Sequence, residues 1–313
     1  NGVSIEVGAN GTFYYVPLTM AEQLGYFKPE GLDVEITDFN GGPRALQSLA
    51  DRTVDVVNGA YEHTINLQSR NQFMQSFVLM GRAPQIALGV STRAVPNYRA
   101  PIDLRGRKIG VSAPGSSTNM VANLVLSRAG VKSGEVSYVG VGTSSAALSA
   151  LRTGQIDAMS NTEPVMTMLE QRGEVKIISD TRTLKGTQDV FGGPMPAACF
   201  YAHAEFVQKH PNTCQAMASA VVHALKWLQT AGPSDIIKTV PDAYLLGDRA
   251  LYLASFNKVR EAISLDGMLP DDGARTALRA LASFDAGLKP EKIDLARTYT
   301  NEFARRAKDR FKA

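Results

Sequence analysis

The sequence predicts an α/β protein of two facing lobes, each a mostly parallel sheet flanked by helices. Three observations carry this reading. The chain nearly repeats itself: Ala45, Leu46, Leu49, Val54 and Asp55 return as Ala147, Leu148, Leu151, Ile156 and Asp157. The same offset of 102 residues carries Val7-Gly8 onto Ile109-Gly110. Short apolar runs also alternate with helical spacing across polar, Gly-rich turns, the pattern of parallel sheets covered by helices. Finally, 313 residues suit two domains, each able to bury its own core.

The elements follow in order. Val3 to Val7 alternates as a strand, and the turn 8–12 leads to an aromatic helix start at Phe13-Tyr14-Tyr15. That helix runs past Leu24 and stops at Gly25, a residue suited to a left-handed cap. Leu32 to Ile36 is the second strand, and Gly41-Gly42-Pro43 opens a helix from Arg44 to Ala50. Val54 to Val57 is the third strand, followed by a helix to Arg70 and a strand at Phe77 to Met80. Ile86 to Val90 crosses into the second lobe. There, strands at 108–111, 137–139, 158–159 and 175–179 alternate with polar turns and helices. Ala197 to Tyr201 crosses back, and the remainder reads as helices over 211–230, 247–265, 272–285 and 291–311. The expected domains are therefore 1–90 with 196–313, and 91–195. Two crossings are what a hinge closing over a ligand requires.

Composition narrows the function. Hydrophobic residues at 44% and charged residues at 20% belong to an ordinary globular chain. The net charge of +3 is scattered except in the tail Arg305 to Lys312, whose spacing with Phe303 and Phe311 makes it the solvated face of a terminal helix. Without a basic stripe and interleaved aromatics, nucleic acid is not an expected partner. No apolar run approaches the roughly 18 residues that a spanning helix needs. The chain opens at Asn1 without a methionine, which reads as a mature form lacking its targeting segment. Cys199 and Cys214 are either a pair formed in an oxidising compartment or, the favoured reading, two small buried hydrophobes. Six residues separate His203 from His210, which matches no common zinc spacing, and His223 sits in an apolar helix. Neither a metal nor a cofactor is expected.

In open parallel sheets, ligands bind at the carboxyl ends of strands beside helix N-termini. That rule selects the turns 9–14, 40–44, 58–63, 113–118, 142–145 and 160–163. Gly115-Ser116-Ser117-Thr118 and Thr143-Ser144 offer hydroxyls and open N–H groups to an anionic group, and Gly41-Gly42 offers bare backbone. The competing role for such hydroxyls is ordinary helix capping. Asn10, Phe13, Tyr14, Asn58 and Tyr61 are candidates for the first-lobe wall, with Asn161 opposite; core packing competes for the aromatics. Arg44 and Arg82 are candidate counter-charges. Glu62 and Glu163 hold near-equivalent turns and either accept from a ligand amine or cap the following helices. No GK[ST], GxGxxG or GxSxG motif occurs in the expected settings, so neither nucleotide phosphate binding nor hydrolase chemistry is supported.

The run Gly25-Tyr26-Phe27, Gly31-Leu32-Asp33-Val34, Gly41-Gly42, Ala45-Leu46 and Val54-Asp55 resembles substrate-binding proteins of ABC importers for nitrate, sulfonate and taurine. Asp103 to Val111 with Gly115-Ser116 is similar to that family's central segment. Gly154 to Ala158, Glu163-Pro164 and Phe206-Val207 with Pro211 extend the likeness. The resemblance implies a type II periplasmic-binding fold joined by a two-strand hinge, and an exported, periplasmic, monomeric protein without enzymatic activity. Its partners would be a small organic anion in the cleft and ABC permease membrane subunits. Two alternatives stay open. Related proteins bind thiamine-pyrimidine precursors or synthesise a pyrimidine, although the cysteine-rich iron motif of that enzyme is absent. The same cleft would also serve a sensor system.

Overall fold

The computed structural model describes residues 2–7, 10–38 and 54–313. The chain begins β1 (Gly2–Val7), α1 (Val16–Gln23), β2 (Asp33–Asp38), β3 (Val56–Ala60), α2 (Glu62–Gln68) and β4 (Met74–Leu79). It continues through β5 (Ala87–Ser91), β6 (Lys108–Val111), α3 (Ser117–Arg128), β7 (Ser137–Gly140), α4 (Ser145–Arg152), β8 (Ala158–Asn161), α5 (Val165–Gln171), β9 (Val175–Asp180) and α6 (Leu184–Phe191). After β10 (Ala198–His203) come α7 (Ala204–Lys209), α8 (Pro211–Thr230), α9 (Pro233–Thr239), α10 (Arg249–Val259), α11 (Asp271–Phe284) and α12 (Glu302–Phe311).

The strands form two five-stranded sheets, ordered β2-β1-β3-β10-β4 and β7-β6-β8-β5-β9. Position by position they match: three parallel strands, then one antiparallel strand, then an edge strand. The repeat read from the sequence is thus a duplicated sheet. Its aspartates have a physical task. Asp55 Oδ2 accepts from the Ser4 N–H and hydroxyl (2.9 and 3.0 Å), and Asp157 Oδ2 accepts from the Lys108 N–H (2.9 Å). Each ties the start of the central strand of its sheet, β3 or β8, to the parallel strand beside it, β1 or β6.

Strand β5 hydrogen-bonds along its length with β8 and β9, so Ala87 to Val90 belong to the second sheet. Gly25 adopts a φ of 73° just past α1, the left-handed cap expected of it. The predicted helix over 211–230 coincides with α8. The predicted helix over 291–311 is broken instead. Edge strand β4 takes its backbone: the Ser76 N–H donates to Thr298 O, and the Thr300 N–H donates to Ser76 O (both 2.9 Å). Gln68 also pairs its amide with both backbone groups of Asp294. Groups so occupied cannot serve a helix ladder, and regular helix resumes only at Glu302. The helix expected over 247–265 ends at Val259 and tightens into a 3₁₀ turn.

One apolar core lies between the first sheet and α1, α8 and α12. A second joins Tyr61 and Ile65 of the α2 region to Val121 and Leu124 of α3 through Ala277 and Leu281 of α11. Helix α11 therefore braces both halves of the molecule. His223 is packed as expected, stacked 3.6 Å from Tyr26 and 4.5 Å from Phe311, which fixes the terminal helix to the body. Both cysteines are buried and unpaired.

Candidate functional site

Turns following β3, β6 and β8 meet at one interface between the halves. Hydrogen bonds already cross it. The Ser117 hydroxyl donates to Glu62 Oε2 at 2.5 Å, and the Phe13 N–H donates to Glu163 O at 3.1 Å. Ser117 is the first residue of α3 and Glu62 the first of α2, so two helix starts meet here.

On the first-half side, Asn10 donates its amide to the Tyr244 hydroxyl at 3.0 Å, while its Oδ1 is covered without a partner. Asn58, in the middle of β3, is fully buried, and both polar atoms of its amide lack partners among the described residues. Glu62 is buried and no Lys, Arg or His nitrogen among the described residues forms an ion pair with it. Burial raises the Tyr14 and Tyr201 hydroxyls well above the usual phenol range, and the nearby Glu62 charge adds to the effect. Both stay neutral donors at any physiological pH. The Tyr201 hydroxyl is buried and unpartnered, and it lies 3.0 Å from where a Cβ on Gly59 would stand, so a side chain there would crowd the ring.

On the second-half side, Ser116 caps α3, and its hydroxyl, that of Thr118 and that of Ser112 bond one another within 3.0 Å. That closed set leaves Ser117 as the hydroxyl of the run that reaches across. Gly115 turns at a φ of 81° and donates its N–H to Asn119 Oδ1. Ser144 precedes α4 without a side-chain cap bond, and Thr143 beside it is half-buried.

Other candidates are engaged elsewhere. Phe13 is a core residue, its ring 4.5 Å from Tyr252 and 5.8 Å from Phe256. Tyr61 turns its hydroxyl to Thr298 at 2.6 Å. Asn161 spends its amide on Gly142 O and the Thr162 N–H, pinning its own turn. Arg82 directs its Nε to Glu261 O among the C-terminal helices. Gly41, Gly42 and Arg44 lie outside the described residues.

Glu163 is part of an ion cluster. Arg182, fully buried, donates to Glu163 (3.1 Å), Glu170 (3.0 Å), Asp180 (2.9 Å through Nε and through Nη2) and the Thr167 hydroxyl (3.2 Å). Glu163 also accepts from the Thr167 N–H, capping α5. Burial pushes the Glu163 carboxyl up, with Arg182 opposing. Sequence reasoning missed Arg182, Asn119 and Tyr201. Asn119 alone left a trace, one residue beyond the hydroxyl-rich turn.

Burial pushes the thiols of Cys199 and Cys214 up to about 12, so neither is a nucleophile at neutral pH. No group of His, Cys, Asp and Glu among the described residues has the arrangement of a metal site. Nor is any described helix long and apolar enough to cross a membrane.

Paired five-stranded α/β halves, the first completed by a strand that follows the whole of the second, and meeting at helix N-termini, define the periplasmic-binding-protein fold. The chain belongs to the NMT1-like family, whose model matches residues 1–240. A solved protein of Bordetella bronchiseptica RB50 is 53% identical, with a TM-score of 0.98 over 100% of this chain and 98% of its own. The alkanesulfonate-binding protein SsuA of Xanthomonas axonopodis pv. citri, bound to MOPS, shares the fold at a TM-score of 0.73 and 15% identity, covering 96% and 98% of the two chains. A Brucella abortus (strain 2308) relative, assigned a binding role in name only, is 24% identical over 246 residues, 76% of this chain and 70% of its own.

Proposed function

We propose that this protein is the solute receptor of an ABC importer, exported to the periplasm, that closes over a small organic anion and presents it to permease subunits. The expected boundary at 90 moves to 86, because Ala87–Val90 pair within the second sheet; the lobes are taken as 1–86 with 196–313, and 87–195, hinged where the chain crosses near 81–86 and 192–197. The observation that carries the reading is the interface itself: the starts of α2, α3 and α4 all come from turns at strand carboxyl ends, and Ser117 of one half bonds Glu62 of the other. Unsatisfied N–H groups in first helical turns favour an anionic group. Ser117, Thr143 and Ser144 are the hydroxyls assigned to it, with Asn10, Tyr14 and Asn58 on the opposite wall. An enzymatic role has no support from the two cysteines, whose thiols stay protonated.

A thermal-shift screen with sulfonates, nitrate and carboxylates tests this, since a ligand of the native state raises the melting temperature by mass action. At least one anion class is expected to stabilise the protein. The double substitution Thr143→Ala, Ser144→Ala is expected to weaken its binding by about 1–2 kcal/mol. Undiminished affinity in that variant removes α4 from the site.

A further inference from the structure

Three large hydrophobic side chains stand exposed among the described residues, and two of them, Leu184 (38%) and Leu265 (48%), line one cavity. Its volume of about 640 Å³ falls within the range of small-molecule sites. Pro194, Pro196, Met268 and Leu269 add to its apolar wall. The cavity lies where the chain passes between the sheets: Arg82 follows β4 on the way to β5, and Pro194 and Pro196 precede β10. It shares no residue with the starts of α2, α3 and α4.

Leu265 does not sit on a loose loop. The Ser264 N–H donates to Met80 O and the Leu79 N–H to Gly267 O, both at 2.8 Å, which fixes 264–267 along edge strand β4. Asn301 pairs its amide with both backbone groups of Leu269 (2.9 and 2.8 Å). An apolar side chain on a backbone so fixed keeps its unfavourable contact with water until something covers it. The charges of the lining indicate what that is. Asp266 is already paired with Lys308 at 2.8 Å, and Asp271 accepts from the Tyr299 hydroxyl. Arg82 and Arg305, also on the lining, form no ion pair among the described residues. Arg82 spends its Nε on Glu261 O at 2.7 Å, which leaves the two terminal nitrogens of its fork to bind. Such a fork suits the paired oxygens of a carboxylate or sulfonate.

We propose that this cavity is a binding site for an amphipathic anion, one carboxylate or sulfonate on a single-chain or single-ring apolar body. The anionic head meets Arg82 and Arg305, and the body covers Leu184 and Leu265. The site goes beyond the receptor reading and does not rest on it, so its failure leaves that reading untouched.

The experiment is titration calorimetry of the intact protein with butyrate, hexanoate, octanoate and decanoate, and with decanol as the uncharged control. Affinity is expected to rise about twofold or more with each added methylene, as further apolar surface is buried. Decanoate is expected to bind about tenfold tighter than decanol, which cannot use the guanidinium forks. Leu265→Ser is expected to lower decanoate affinity about fivefold, and the double substitution Arg82→Gln, Arg305→Gln about tenfold. Leu265 is exposed, so its variant keeps the test open should the double variant fold poorly. Undiminished affinity in either folded variant places the acid elsewhere and overturns the proposal, as does failure of every acid to bind. Equal affinity for decanol removes the arginines from recognition and overturns it as well. Sedimentation of the protein without added acid is expected to give a monomer. A dimer that Leu265→Ser dissociates would mean that a second copy of the chain, rather than a small acid, covers the groove.

Discussion

Glu62 and Glu163 occupy matching turns of the two duplicated halves, both buried, yet they have opposite circumstances. Glu163 is tied down by Arg182 and by the first turn of its own helix. Among the described residues Glu62 hydrogen-bonds the Ser117 hydroxyl, from the other half, and pairs with no cation. Near-equivalent positions in the same sheet topology are tied into an ion cluster in one copy and bonded across the interface in the other. Duplication supplies two carboxylates at an interface; the buried arginine holds one of them within its own half, and the other reaches across.

The comparison breaks most visibly at Arg182. Arg182→Ala leaves Glu163, Glu170 and Asp180 without their shared cation, and removing one partner of a buried ion pair costs about 3–5 kcal/mol. Urea unfolding should register that loss, and a change under about 1 kcal/mol would mean the cluster is too well solvated to be structural. The repeat aspartates come next. Asp55→Ala and Asp157→Ala should each cost about 1.5–3 kcal/mol, the range for hydrogen bonds to charged groups. Asp55 should cost more, because two groups of Ser4 lose a hydrogen-bond acceptor, whereas Asp157 holds the Lys108 N–H and a loose, half-exposed ion pair with Arg107 at 3.8 Å. The reverse order would show that the two ties are not equivalent devices.

The smallest effect concerns pH. Glu62 is followed by His63 where Glu163 is followed by Pro164, so only the first copy carries a titrating neighbour. Burial lowers the His63 pKa below its ordinary value of 6.5, with Glu62 opposing. The unfolded chain then binds that proton more readily than the folded one. Stability from this residue is complete above pH 6.5 and declines as the pH falls from there toward the folded value. Melting temperature followed from pH 7.5 down to 5 should fall, and His63→Gln should flatten part of the slope; an unchanged slope would assign it to other groups.

Much of the architecture was legible because it depends on local pattern. Repeated Ala-Leu spacing and the paired aspartates marked equivalent strands, Gly25 marked a left-handed cap, and apolar spacing marked α8. What escaped depends on partners distant in the chain. Phe13 reads equally as a cleft-wall or a core aromatic until Tyr252 and Phe256 arrive from the C-terminal helices to bury it. Hydroxyl density pointed to Ser116, Ser117 and Thr118 alike, yet two of the three close on Ser112 and one crosses the interface. Nothing in Thr181-Arg182-Thr183 announces a buried arginine, because its carboxylates come from the end of β9, the turn before α5 and the end of α5.

Strand order also governs how the chain can be assembled on a ribosome. Strand β10 lies between β3 and β4, so those two strands have no hydrogen bonds to share until Ala198 and its successors have been made. The second sheet, by contrast, is complete once Asp180 has emerged. At roughly 5–20 residues per second, the N-terminal strands wait on the order of ten seconds for their centre. The half that starts first is the half that finishes last, and the interval leaves its edges open to whatever the cell supplies to cover them.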